Sequence, residues 1–210
     1  MRLPARARLV AIALLTLVAT ATAAPAAEPV IVALGDSLTA GLGVATDETY
    51  PALLQERLRR EGFAYRVVNA GVSGDTTAGA LRRIDWILKS QPAIVIVALG
   101  ANDGLRGQPV SAMRENLAAI VTRLRGAGAR VLLAGMRLPP NYGADYTREF
   151  AHAFATVARE TSVAFLPFLL EGVAGQAHLN QPDGIHPNAA GQRIVAEAVF
   201  GALRPMLERR

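Results

Sequence analysis

At 210 residues and 51% hydrophobic content, the chain is long enough for one well-buried domain and short for two. Its formal charge of +5 comes from 22 basic against 17 acidic residues. The arginines are dispersed beside acids such as Glu56, Glu61 and Glu115, so there is no basic stripe of the kind that grips nucleic acid. Cysteine is absent, which excludes disulfide scaffolding and leaves a metal site without thiolate ligands.

The N-terminus reads separately. Arg2, Arg6 and Arg8 precede an uncharged run from Leu9 to Ala24, followed by small residues through Ala27. That order of regions is expected of a secretory signal peptide over residues 1–26, cleaved after Ala23 or Ala26. The run is too short for a spanning helix, which needs roughly 20 apolar residues. Cleavage takes three of the 22 basic residues, so 19 face 17 acidic ones, a net charge of +2. A periplasmic or secreted domain over 27–210 is expected, with no stable membrane insertion.

In chain order, Val30–Leu34 is apolar without alternation, as a strand covered on both faces requires. Gly35 breaks it, and Ser37 falls just beyond its carboxyl end, where open α/β sheets place their ligands. Thr49 and Pro51 open a helix over Pro51–Glu61 that Gly62 ends. Tyr65–Asn69 reads as a second strand, followed by the loop Ala70–Gly74, and Asp75 or Thr76 caps a helix whose Leu81, Ile84 and Leu88 recur at helical spacing. Ala93–Leu99 is the most apolar strand and is expected at the centre. Pro109 opens a helix with Val110, Met113, Leu117, Ile120 and Leu124 on one side, closed by Gly126. Arg130–Ala134 is a fourth strand, Tyr146, Phe150, Phe154 and Val157 mark another helix, and Val163–Leu166 is a short fifth strand. An irregular stretch from Pro167 to Pro187 precedes a last helix, capped by Asn188, with Ile194, Val195, Val199 and Leu203 facing the core. Alternating strands and helices predict an α/β domain with a five-stranded parallel sheet. A structureless stretch of about 20 residues inside such a domain is more often functional than accidental.

That stretch contains Asp183-Gly184-Ile185-His186-Pro187. Serine is a poor nucleophile until a neutral imidazole takes its proton, and a carboxylate on the other ring nitrogen fixes the tautomer. Ser37, Asp183 and His186 are the expected catalytic set. His152 is expected on the solvent face of its helix, and His178 is kept as a second candidate for the base. Carbonyl attack also needs donors for the developing oxyanion, and two further strand ends offer them: the backbone N–H of Gly71 and the side-chain amide of Asn102. Activity is expected to fall as acid protonates the imidazole. No third ligand at suggestive spacing supports a metal, and neither a Gly-x-Gly-x-x-Gly nor a Walker pattern follows the first strand.

These blocks resemble the SGNH, or GDSL, hydrolase family. Gly35-Asp36-Ser37-Leu38, Gly71, Gly100-Ala101-Asn102-Asp103 and Asp183-Gly184-Ile185-His186-Pro187 match its four blocks in order. Ala40-Gly41-Leu42-Gly43 and Asn69–Thr77 are similar to its small periplasmic thioesterases, lysophospholipases and arylesterases. The α/β-hydrolase elbow, Gly-x-Ser-x-Gly, is excluded by Thr39. The resemblance implies a three-layer flavodoxin-like fold with strand order 2-1-3-4-5. It also implies an oxyanion hole from Ser37, Gly71 and Asn102, and no metal or cofactor. A monomer acting on small acyl esters or thioesters is expected, with Leu105–Pro109 and Met136–Tyr142 as walls of an acyl pocket. A carbohydrate acetyl esterase would carry the same blocks, and a binding protein could use the same scaffold without chemistry.

Overall fold

The computed structural model describes residues 28–209; the expected signal peptide lies outside them. Strands β1 (Val30–Gly35), β2 (Arg66–Gly71), β3 (Ile94–Ala98), β4 (Arg130–Ala134) and β5 (Ala164–Leu166) form one sheet in the order 2-1-3-4-5. Every pairing is parallel, as predicted. The helices are α1 (Ser37–Ala40), α2 (Tyr50–Arg60), α3 (Thr77–Arg82), α4 (Ile84–Leu88), α5 (Ala101–Leu105), α6 (Val110–Gly126), α7 (Ala144–Glu160) and α8 (Ala189–Leu203).

Position in the sheet explains the strand compositions. All residues of β1 and β3 are buried, because both strands have neighbours on either side and helices above and below. Edge strand β2 buries only Ala70, so it tolerates Arg66 and Asn69. Helices α2 and α8 pack on each other, while α6 packs against both α3 and α7. From β1 the chain moves to one edge of the sheet, then returns across it through β3, β4 and β5. The reversal makes the carboxyl ends of β1 and β3 a topological switch point, where this class of sheet opens a crevice.

Local signals place most boundaries. The Thr49 side chain accepts from Ala52 N–H and Pro51 sits in the first turn of α2. Thr76 caps α3, and Asn188 caps α8 by accepting from Ala190 and Gly191.

Three expectations are corrected. The helix through Leu81, Ile84 and Leu88 is two short helices meeting at Arg83. There the guanidinium turns inward to Asp75 Oδ2 and the carbonyls of Ala70 and Gly35, long-range partners that apolar spacing cannot reveal. Gly126 is the last residue of α6 rather than its stop, and the left-handed residue is Gly128. Ile194 is 37% exposed while Val195, Val199 and Leu203 are buried. Consecutive helical residues differ by about 100° in direction, so the core took Val195 over its neighbour.

The stretch from Pro167 to Pro187 has no long element, yet it is anchored. Leu169, Leu170, Val173 and Leu179 are buried in the core. Asn180 and Pro187 form an antiparallel bridge, so the residues between them project as a tight turn.

Candidate active site

The β1 chain end delivers Ser37 into the first turn of α1. Asp36 caps that turn, its Oδ1 accepting from Leu38 N–H at 3.0 Å. Capping fixes the direction in which Ser37 leaves the strand. The Ser37 hydroxyl lies 2.9 Å from His186 Nε2, and His186 Nδ1 lies 2.7 Å from Asp183 Oδ2. Three side chains separated by up to 149 positions in the chain thus form one hydrogen-bonded series.

Asp183 is held by its own turn. Its Oδ1 accepts from the N–H groups of His186, at 3.0 Å, and Ile185, at 2.9 Å. These backbone donors, followed by the His186 ring, hold its carboxyl down at about 2. Donors that favour the charged form explain the direction. The carboxylate therefore stays ionised through the pH range in which an imidazole titrates, and orients the ring throughout it.

Asp36 has the opposite environment. It is 1% exposed, and burial pushes its carboxyl up to about 6 against the pull of Leu38 N–H and of His186. Its Oδ2 lies 3.3 Å from Asn102 Nδ2. The Asn102 amide also donates to the Asp75 carbonyl at 2.9 Å. Asp75 is in turn held through its carboxylate by Arg83 at 2.8 Å. Asn102 stands in α5, just after β3, and its amide is aimed by Asp36, just after β1, and by Asp75, in the loop after β2.

The structure brings Ser37, His186 and Asn102 to one cleft but leaves Gly71 out of it. The Gly71 N–H donates to Asn69 Oδ1 at 2.9 Å. A Cβ on Gly71 would come within 2.2 Å of Ala40 N, so this glycine serves close packing against α1 and not the cleft. The cleft is instead lined by Gly74, three residues on. Gly74 has a positive φ of 79°, and among the described residues its N–H has no acceptor. Arg106 Nη2 donates to its carbonyl at 3.0 Å. Sequence reasoning had a signal for this: asparagine side chains commonly bond the backbone two residues on, which commits the Gly71 N–H to Asn69.

The cleft is a cavity of about 670 Å³. Of the expected walls Leu105–Pro109 and Met136–Tyr142, Leu105 and Met136–Pro140 line it, while residues 106–109 and Asn141 do not. Tyr142 is not in the lining; its hydroxyl donates to the Leu105 carbonyl at 3.1 Å, tying the two walls together. Leu42, Phe168, Leu170 and Ile185 add to the apolar surface and were missed. His152 is exposed on α7 and contacts Thr156, and His178 is exposed away from the cleft. Among the described residues no His, Cys, Asp and Glu cluster could hold a metal ion.

The model of the GDSL-like lipase/acylhydrolase family matches residues 33–194. The chain belongs to this family. The GDSL-type match spans all the elements that form the cleft. Esterase TesA of Pseudomonas aeruginosa is 46% identical over 183 residues, covering 87% of this chain and 91% of that protein. Thioesterase 1/protease 1/lysophospholipase L1 of Escherichia coli K12 is 38% identical, covering 87% and 86%. Among solved structures, the esterase EstA from a Pseudoalteromonas species, inhibited by monoethylphosphonate, superposes with a TM-score of 0.81. It is 36% identical, over 85% of this chain and 98% of that one. This GDSL-type protein is accordingly an ester-hydrolysing enzyme.

Proposed function

We propose that the enzyme cleaves esters and thioesters of apolar acyl groups through an acyl-enzyme on Ser37. The observation that carries the reading is the Ser37–His186–Asp183 series opening into an apolar cleft. His186 Nε2 takes the Ser37 proton as the oxygen attacks the acyl carbon. The resulting oxyanion is met by the N–H groups of Ser37 and Gly74 and by the Asn102 amide. As the C–O or C–S bond breaks, His186 returns the proton to the departing alcohol or thiol. Water then repeats the sequence: His186 takes its proton, hydroxide adds to the acyl carbon, and Ser37 leaves reprotonated with the free acid. Asp183 holds the ring tautomer and stabilises the imidazolium at both stages.

Aliphatic walls favour acyl chains over the acetyl groups of sugars. The names of the relatives, esterase and thioesterase/lysophospholipase, support the same substrate class. Each buried methylene is worth about 0.8 kcal/mol, or about a fourfold gain in kcat/KM, until the cleft is full. A series of aryl esters from acetyl upward, with matching thioesters, tests this. Rising kcat/KM with chain length is expected, and a steady preference for acetyl would overturn the apolar-acyl assignment.

The charge, apolar and small-residue order of 1–26 supports export, with action in the periplasm or outside the cell. No described helix is long and apolar enough to cross a membrane. Intact mass of the protein from its native compartment is expected to show a chain starting near residue 24 or 27; an intact Met1 would refute removal of a leader.

A further inference from the structure

Gln181 lies two residues before Asp183 and carries none of the roles above, yet it joins the two halves of the site. Its Nε2 donates to the Leu42 carbonyl at 2.6 Å and to the Pro187 carbonyl at 3.2 Å. Its backbone N–H donates to the His186 carbonyl at 2.8 Å, and its carbonyl accepts from Gly184 N–H at 2.9 Å. On the other side, the Leu42 N–H donates to the Ser37 carbonyl at 3.1 Å. A closed ring of hydrogen bonds follows. It runs from the Ser37 carbonyl through the Leu42 peptide to the Gln181 side chain, then along the Gln181 backbone to His186, and back through Nε2 to the Ser37 hydroxyl.

Among the described residues, the Ser37–His186 contact and the Gln181–Leu42 contact are the side-chain hydrogen bonds joining 181–187 to 37–44. The first is the reacting pair, whose proton moves in every turnover. The second holds while that proton moves, and beyond the turn the Gln192 amide of α8 adds a longer bond to the Leu38 carbonyl at 3.4 Å. Gly43 is shaped to the Gln181–Leu42 tie: a Cβ there would lie 2.1 Å from Gln181 Oε1, so any side chain at 43 would push the amide away from Leu42. Leu42 and Ile185, which flank the tie, are 48% and 44% exposed at the cleft.

We propose that Gln181 is a positioning residue that sets the distance between His186 Nε2 and Ser37 Oγ by tying the His186 turn to the Leu42 carbonyl. The inference rests on the hydrolase reading above. Gln181→Met keeps the length of the side chain and removes both donated bonds. Geometric misplacement of a catalytic pair falls on the chemical step, so kcat is expected to drop roughly 10- to 100-fold with KM changed far less. The rate of Ser37 labelling by an organophosphate should drop by a similar factor, measured at a temperature where both proteins are folded by circular dichroism. A double-mutant cycle isolates the tie. Gly43→Ala brings backbone strain in any background, since φ is +79° there, but it can displace the amide only when Gln181 is present. Its cost in kcat should be clearly smaller in Gln181→Ala than in the wild type. Equal labelling rates in wild type and folded Gln181→Met, or strictly additive Gly43 and Gln181 effects, would overturn the inference. Failure of the organophosphate to label the wild type at all would instead sink the hydrolase reading.

Discussion

Ser37→Ala is expected to lower kcat by roughly 10⁶, the scale seen when a serine nucleophile is removed from an intact site, and to abolish organophosphate labelling. The hydroxyl oxygen is the atom to which the acyl group would be bonded, and His186 Nε2, at 2.9 Å, is placed to take its proton. Asp36 keeps its cap on Leu38 N–H whatever occupies position 37. The cleft walls do not depend on the hydroxyl either, so substrate should still bind with KM near the wild-type value. The remaining rate, still roughly 10³–10⁴ above that in water, would come from the oxyanion donors and binding alone. A folded Ser37→Ala protein that turned over esters at more than a small percentage of the wild-type rate would mean that the acyl group is carried elsewhere.

Asn102→Ala should lower kcat by roughly 10²–10³, the usual cost of one lost oxyanion donor. One amide hydrogen is anchored on the Asp75 carbonyl at 2.9 Å, and this sets the plane of the group. The other faces Asp36 Oδ2 at 3.3 Å, a long contact that a nearby oxyanion can replace. The interaction strengthens as charge builds on the substrate oxygen, so the loss falls on the transition state and not on KM. Organophosphate should still label Ser37 in this variant, more slowly. Wild-type turnover by a folded Asn102→Ala protein would reduce Asn102 to a turn residue and leave the backbone donors alone with the oxyanion.

Residues whose environment is set by neighbours in sequence were legible before the structure. β1 and β3 announce themselves because burial on both faces leaves no polar position between Ile31 and Leu34 or between Ile94 and Ala98. Asp183 and His186 were legible as a pair because one turn holds both, with Asp183 accepting from backbone three residues on. What was lost depends on contacts that no local spacing encodes. Gly71 is the exception, because the Asn69 side chain two residues before it already claims its N–H, a local signal that was passed over. The break at Arg83 depends on carbonyls at two other strand ends. Phe168 and Leu170 reach the cleft only because the stretch after β5 folds back over it. Strand order lay between these cases: βα alternation implied a parallel sheet, and the order 2-1-3-4-5 came from family resemblance.

The separation of 149 residues between Ser37 and His186 has a consequence for the chain as it is made. Synthesis proceeds from the N-terminus, and a domain folds as a unit once its parts exist. A chain interrupted anywhere before residue 183 carries the serine with neither its base nor the orienting acid, and residues 181–187 also supply Ile185 to the cleft. No such partial chain holds the hydrogen-bonded series of Ser37, His186 and Asp183. The series closes only when the turn carrying Asp183 and His186, made 146 and 149 residues after the serine, reaches the end of β1.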